Sequence, residues 1–117
     1  MKIRLIASGK VVTATLDDSA AARDFAALLP LSLTFQEYAV LERIADLPGK
    51  LSMAGAPVGM TPQAGDIAYY APWGNLAIFL AGDLYADGLV LLGKVDTGLR
   101  ALQGQEPVLV RVERASD

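Results

Sequence analysis

Gly65-Asp66-Ile67-Ala68-Tyr69-Tyr70-Ala71-Pro72-Trp73-Gly74-Asn75-Leu76-Ala77-Ile78-Phe79 holds the only Trp of the chain and two of its four Tyr. Residues alternate on either side of Pro72-Trp73-Gly74-Asn75, the pattern of two half-buried strands meeting at a tight connection. Pro fixes one φ, and Gly and Asn tolerate positive φ, so those four residues make a turn whatever else they do. Strand alternation sends Tyr69 and Tyr70 to opposite faces, so one ring is core and the other faces solvent or a groove. Asp66, directly after Gly65, reads as a turn acceptor rather than a catalytic acid.

The chain on either side is largely aliphatic and strand-rich. Residues 2–7 and 11–16 flank Ser8-Gly9-Lys10 as an opening hairpin. Asp17-Asp18-Ser19 is helix-start chemistry, and Ala22, Phe25, Ala26 and Leu29 then form one apolar stripe that Pro30 ends. Leu31, Leu33 and Phe35 alternate with Ser32 and Thr34 as a half-buried strand, and a second strand spans residues 40–47. Residues 49–65 are rich in Gly, Pro and Ala, a long loop of the kind that covers one end of a core or acts as a lid. Residues 89–95 read as a buried strand in which Gly93 marks a close backbone approach. Asp96-Thr97 is suited to cap a short helix running to residue 102. Residues 107–113 form a last alternating strand, and residues 114–117 read as a tail.

Eight strands with two short helices are too many for one open layer on so small a core, whereas closure removes the exposed edges. The expected fold is therefore mainly β, a closed eight-stranded antiparallel barrel with two short capping helices. With 117 residues and no visible linker or repeat, residues 1–117 are expected to form a single domain.

Composition narrows the function. Hydrophobic residues make up 53% and charged residues 20%, with a net charge of −3. There is no basic footprint, so no nucleic-acid partner is expected. The chain has no Cys and no His. A Ser-His-Asp triad, thiol chemistry and His- or Cys-ligated metal are thereby excluded. Asp17 and Asp18 are better explained by helix capping than by a metal, and no glycine spacing cradles a phosphate, so no metal and no cofactor are expected. The mean hydropathy is positive, but the longest apolar run, residues 76–81, falls far short of the ~20 a membrane helix needs. Arg4 and Lys10 break the amino-terminal apolar residues, so no secretory segment is read there. No membrane association and a cytoplasmic location are the expectations.

The chain resembles the bacterial cyclophilin-like proteins, small barrels related to cyclophilins. The resemblance is carried by Leu29-Pro30-Leu31-Ser32-Leu33-Thr34-Phe35, by Glu42-Arg43-Ile44-Ala45-Asp46-Leu47-Pro48, by residues 65–75 and by Gly88-Leu89-Val90-Leu91-Leu92-Gly93. It implies an eight-stranded antiparallel barrel capped by two helices. True cyclophilins are peptidyl-prolyl isomerases that use an Arg on the barrel face beside an aromatic, His-bearing groove. Here Leu33, Thr34 and Phe35 stand where that Arg would be expected and His is absent, so the isomerase site does not carry over residue by residue.

Three functional readings follow. In the first, a peptide or small apolar ligand binds an aromatic groove built from Tyr70, Trp73, Asn75, Met60 and Phe79. Aromatic rings with a polar handle make good ligand walls, and Met adapts to apolar contacts. In the second, the protein is a weak or divergent prolyl isomerase with Arg43 as the amide donor, since lowering the ~18–20 kcal/mol barrier needs no proton transfer. The commoner role for Arg43 is an outward cation in a surface ion pair. In the third, the apolar composition serves a structural role or a homo-oligomeric interface. Phe79 is read foremost as core.

Overall fold

A computed structural model describes residues 1–115. Its strands are β1 (Lys2–Ala7), β2 (Lys10–Leu16), β3 (Leu31–Tyr38), β4 (Glu42–Asp46), β5 (Gly59–Met60), β6 (Asp66–Tyr70), β7 (Asn75–Phe79), β8 (Ala86–Asp87), β9 (Leu89–Thr97) and β10 (Val108–Arg114). One helix, α1 (Ala20–Ala27), and one 3-10 turn (Leu99–Leu102) complete the elements among the described residues. Eight strands close into an all-antiparallel barrel in the order β1-β10-β3-β4-β7-β6-β9-β2. The remaining two, β5 and β8, pair only with each other, as a two-residue ladder outside the barrel.

Period-2 patterning fills the interior. Ile3 and Leu5 on β1, Val12 and Leu16 on β2, Phe35 on β3, Ile67 and Tyr69 on β6, Leu76 and Ile78 on β7, and Val110 and Val112 on β10 are all buried in one cluster. Ser19 caps α1, its Oγ accepting the Ala22 N–H at 3.1 Å. Phe25 and Leu102 join the same core from α1 and the 3-10 turn, which lie by opposite ends of β2. Closure between β2 and β9 depends on Gly93. A Cβ there would overlap the Thr15 carbonyl and lie 2.8 Å from the Leu16 Cα, so only glycine permits the strands to approach.

The structure departs from the sequence reading in five places. The expected second helix begins later and is a 3-10 turn: Asp96 and Thr97 stay in β9, where Asp96 accepts from Lys2 and Thr15 and Thr97 bonds Thr13. Side chains already engaged across the sheet do not cap a helix. Val40 lies in a turn, and β4 starts at Glu42. Asn75 opens β7 rather than sitting in the turn, which is closed one residue earlier by Trp73 and Gly74 N–H groups donating to the Tyr70 carbonyl at 3.2 and 2.9 Å. The long loop is pinned at Leu51, whose N–H donates to the Tyr69 hydroxyl at 3.3 Å, and at Ser52, whose N–H donates to Asp24 at 2.7 Å. It then contributes β5. Arg114 is no tail residue, since it ends β10 and donates to the Ala26 carbonyl at 3.0 Å, and Ala115 donates to the Lys2 carbonyl. Ser116 and Asp117 lie outside the described residues.

Candidate functional site

The outer face of β4, β7, β6 and β9 is itself largely buried. Ala68, Ala77, Phe79 and Leu89 form a small second cluster there, with Ile44, Met60, Tyr70 and Ala86 packed against it. The β5–β8 ladder and the chain leading into it lie over this face, held in part by the Gly88 N–H donating to the Val58 carbonyl at 2.8 Å. A small, tightly covered apolar patch between a barrel wall and a flap leaves a groove where the cover stops.

Strand register decides what lines that groove. Glu42 stands opposite Tyr38 on β3 and opposite Phe79 on β7, so the three share one outward row. Asn75 stands opposite Tyr70, in a second outward row along the same face. The Ala71–Gly74 connection carries Trp73 above both rows. Its ring meets Tyr38 at a centroid distance of 5.4 Å and an interplanar angle of 83°, and Tyr70 at 5.3 Å and 81°. Edge-to-face pairs of this geometry hold rings in place without burying them, and Trp73 remains 54% exposed. The turn is braced from behind, where Gly88 backs onto Pro72 and accepts the Ala71 N–H at 2.9 Å. Asp83, Leu84 and Ala86 form the facing wall, and the enclosed volume is about 180 Å³.

Two carboxyl groups, Glu42 and Asp83, line the groove with Asn75. Asn75 is buried, at 3% exposure, and its Oδ1 has no hydrogen-bond partner. Burial, and then the neighbouring Asp83 carboxylate, push the Glu42 carboxyl up to about 7. Asp83 accepts the Leu84 N–H at 2.7 Å. No Lys or Arg lines the groove, and among the described residues neither Glu42 nor Asp83 makes an ion pair.

Of the residues singled out from the sequence, Tyr70, Trp73, Asn75 and Phe79 come together here. Met60 sits on the flap and lines a different cavity, of about 370 Å³, with Pro57, Gly59 and Leu91. That cavity is the larger, but its walls are mostly apolar, and of its two polar side chains, Asp17 and Ser19, Ser19 is spent on the helix cap. Convergent polar groups beside apolar walls mark the smaller groove as the stronger candidate. Arg43 is not with the others. It is 2% exposed on the inner face of β4, its Nε donating to the Leu102 carbonyl at 2.7 Å and its Nη1 unpartnered. It is neither an outward cation in an ion pair nor a donor within reach of the groove. Asp66 is the turn acceptor read from the sequence, its Oδ2 taking the Gln63 N–H at 2.8 Å, with Lys94 at 3.3 Å from Oδ1.

Sequence reasoning missed Tyr38, Glu42 and Asp83. Tyr38 had a usable signal: it is three residues from inward Phe35, so extending that strand to its end turns the ring outward. Asp83 had none, because its place depends on how the connection after β7 folds back. Among the described residues no cluster of carboxylates suits a metal ion, and no helix is long and apolar enough to cross a membrane.

The sequence pattern of the cyclophilin-like family matches residues 5–113. The chain belongs to the cyclophilin-like family. A hypothetical protein of Archaeoglobus fulgidus, solved in solution, has a similar structure, with a TM-score of 0.69 at 17% sequence identity over 98% of this chain and 95% of that one. At that identity the likeness is one of fold, and it is to an archaeal protein, not to a bacterial one. No curated protein matches this sequence.

Proposed function

We propose that this cyclophilin-like barrel is a binding module that takes a small ligand or a short peptide segment, with an apolar body, in the groove beneath Trp73. The observation carrying this reading is Trp73 itself, half-exposed and fixed between Tyr38 and Tyr70 over a concavity floored by Phe79 and Asn75. A large ring held in place at a solvent boundary gives contact area at little entropic cost on binding. Asn75, buried in the groove wall with its Oδ1 unpartnered among the described residues, adds a polar group beside the apolar ones.

Trp73 is the only Trp, so its emission reports on this groove alone. Titration with aromatic and aliphatic fragments and with short proline-containing peptides is expected to shift or quench that emission saturably. Trp73→Ala, followed by calorimetry, is expected to lose the binding while keeping the circular dichroism of the folded chain. Binding that survives in a folded Trp73→Ala variant would remove the groove from the account. With Arg43 inside the barrel, no guanidinium faces this groove, and no acceleration of prolyl isomerisation in short peptides is expected.

A further inference from the structure

We infer that the groove selects an organic cation, a small alkylammonium whose apolar substituents meet the rings of Tyr38, Tyr70 and Trp73 and whose charge is met by Glu42 and Asp83. The inference rests on the binding reading above and adds the ligand's chemical class. Three independent features converge on it.

The first is the arrangement of rings. Trp73 stands edge-on to two tyrosines at 5.3 and 5.4 Å, so three aromatic rings share one small, partly enclosed space. Aromatic faces carry negative electrostatic potential and attract ammonium groups most strongly where water is partly excluded. The second is charge. Among the described residues, both carboxylates lining the groove lack a cationic partner and no basic residue lines it. Two acids left facing one concavity are a cost that a bound cation removes. The third is Asn75, a groove-lining side chain more than nine-tenths buried whose Oδ1 has no hydrogen-bond partner among the described residues. A volume near 180 Å³ suits a single head group, being below the ~300–1,000 Å³ of drug-sized sites.

The protonation behaviour of Glu42 agrees with this arrangement. Its carboxyl is held near 7 by burial and by Asp83, and the other titratable side chains on the groove are Tyr38 and Tyr70. Glu42 is thus largely protonated at pH 6 and ionised at pH 8. A cation that needs the carboxylate therefore binds better as pH rises through 7, whereas a neutral ligand of equal shape does not respond.

The test uses an isosteric pair, choline and 3,3-dimethylbutan-1-ol, which differ in the charged nitrogen and not in outline. Trp73 emission of the full chain is followed at pH 6 and pH 8, with the wild type and with Glu42→Gln. The expected result is choline binding at least about tenfold tighter than the alcohol at pH 8. That preference should shrink at pH 6 and fall by a similar factor in Glu42→Gln. A trimethyllysine-containing tripeptide binding more tightly than choline keeps the chemistry and assigns the ammonium to a peptide side chain. Equal binding of alcohol and choline, unmoved by Glu42→Gln, overturns the cation inference and leaves the apolar groove standing. No response of Trp73 to any of the three overturns the cation inference, and the fragment titration then decides the groove separately.

Discussion

Trp73, Glu42 and Arg43 show how one residue's meaning changes once its face is known. Trp73 was legible as exceptional because it is unique and sits in a turn, and its exposure follows from that turn. Glu42 and Arg43 are adjacent and point to opposite sides of the barrel wall. The sequence over residues 40–47 alternates in composition on both faces, so it could not say which face is inward. The two residues make opposed predictions. Folding raises the Glu42 carboxyl from 4.5 to about 7, so the folded state binds the extra proton and stability falls as pH rises between those values. Glu42→Gln is therefore expected to leave the melting temperature unchanged near pH 4 and to raise it at pH 8. The gain is on the order of 1 kcal/mol once solvent screening of a half-exposed group is allowed for. Thermal scans at the two pH values check this, and a variant less stable at pH 8 contradicts it. Arg43 places a charge in the core with no carboxylate beside it. Arg43→Met keeps the volume and removes the buried charge, so stability should hold or improve by up to about 2 kcal/mol, whereas Arg43→Ala leaves a cavity and should cost about 3. Urea denaturation separates them; a Met variant as damaged as the Ala variant would mean that the guanidinium itself holds the barrel end.

Among the elements, those with long hydrophobic periodicity were legible and those made by distant pairing were not. The strands containing Leu33 and Phe35, Ile67 and Tyr69, and Val110 and Val112 announce themselves through alternation. The β5–β8 ladder has two residues a side and no period to read. It exists because Gly59 and Asp87 meet after the chain has folded around the barrel, and its edge at Ala86 bounds the groove. Gly93 was legible as a close approach, and the geometry gives it a consequence. Gly93→Ala would drive a methyl into the Thr15 carbonyl at the seam where β2 closes on β9. Overpacking against backbone has little room to relax, so a loss of about 3 kcal/mol or more is expected in urea denaturation. A loss below 1 kcal/mol would show that the seam is looser than described.

For the whole molecule, the closed barrel could be argued from strand number, chain length and the cost of open edges, before any pairing was known. The strand order could not, because β10 inserts between β1 and β3 and β9 pairs with both β2 and β6. That order also sets the site. It places β3, β4, β7 and β6 side by side, which brings Tyr38, Glu42, Asn75 and Tyr70 onto one outer face although 37 positions separate Tyr38 from Asn75 in the sequence. The barrel thus offers an aromatic, acidic groove on its wall rather than in its lumen, which is packed solid with side chains.

The central claim is that the wall groove beneath Trp73 is where this protein meets its ligand. Amide and indole chemical-shift mapping of the labelled full chain, titrated with a fragment set and with choline, tests it directly. The account predicts saturable shifts at the Trp73 indole N–H and at the amides of Tyr38, Tyr70, Asn75, Phe79 and Leu84, with the interior and the far strands β1 and β2 unmoved. Shifts gathered instead around Pro57, Gly59 and Leu91, with the Trp73 indole silent, would contradict it.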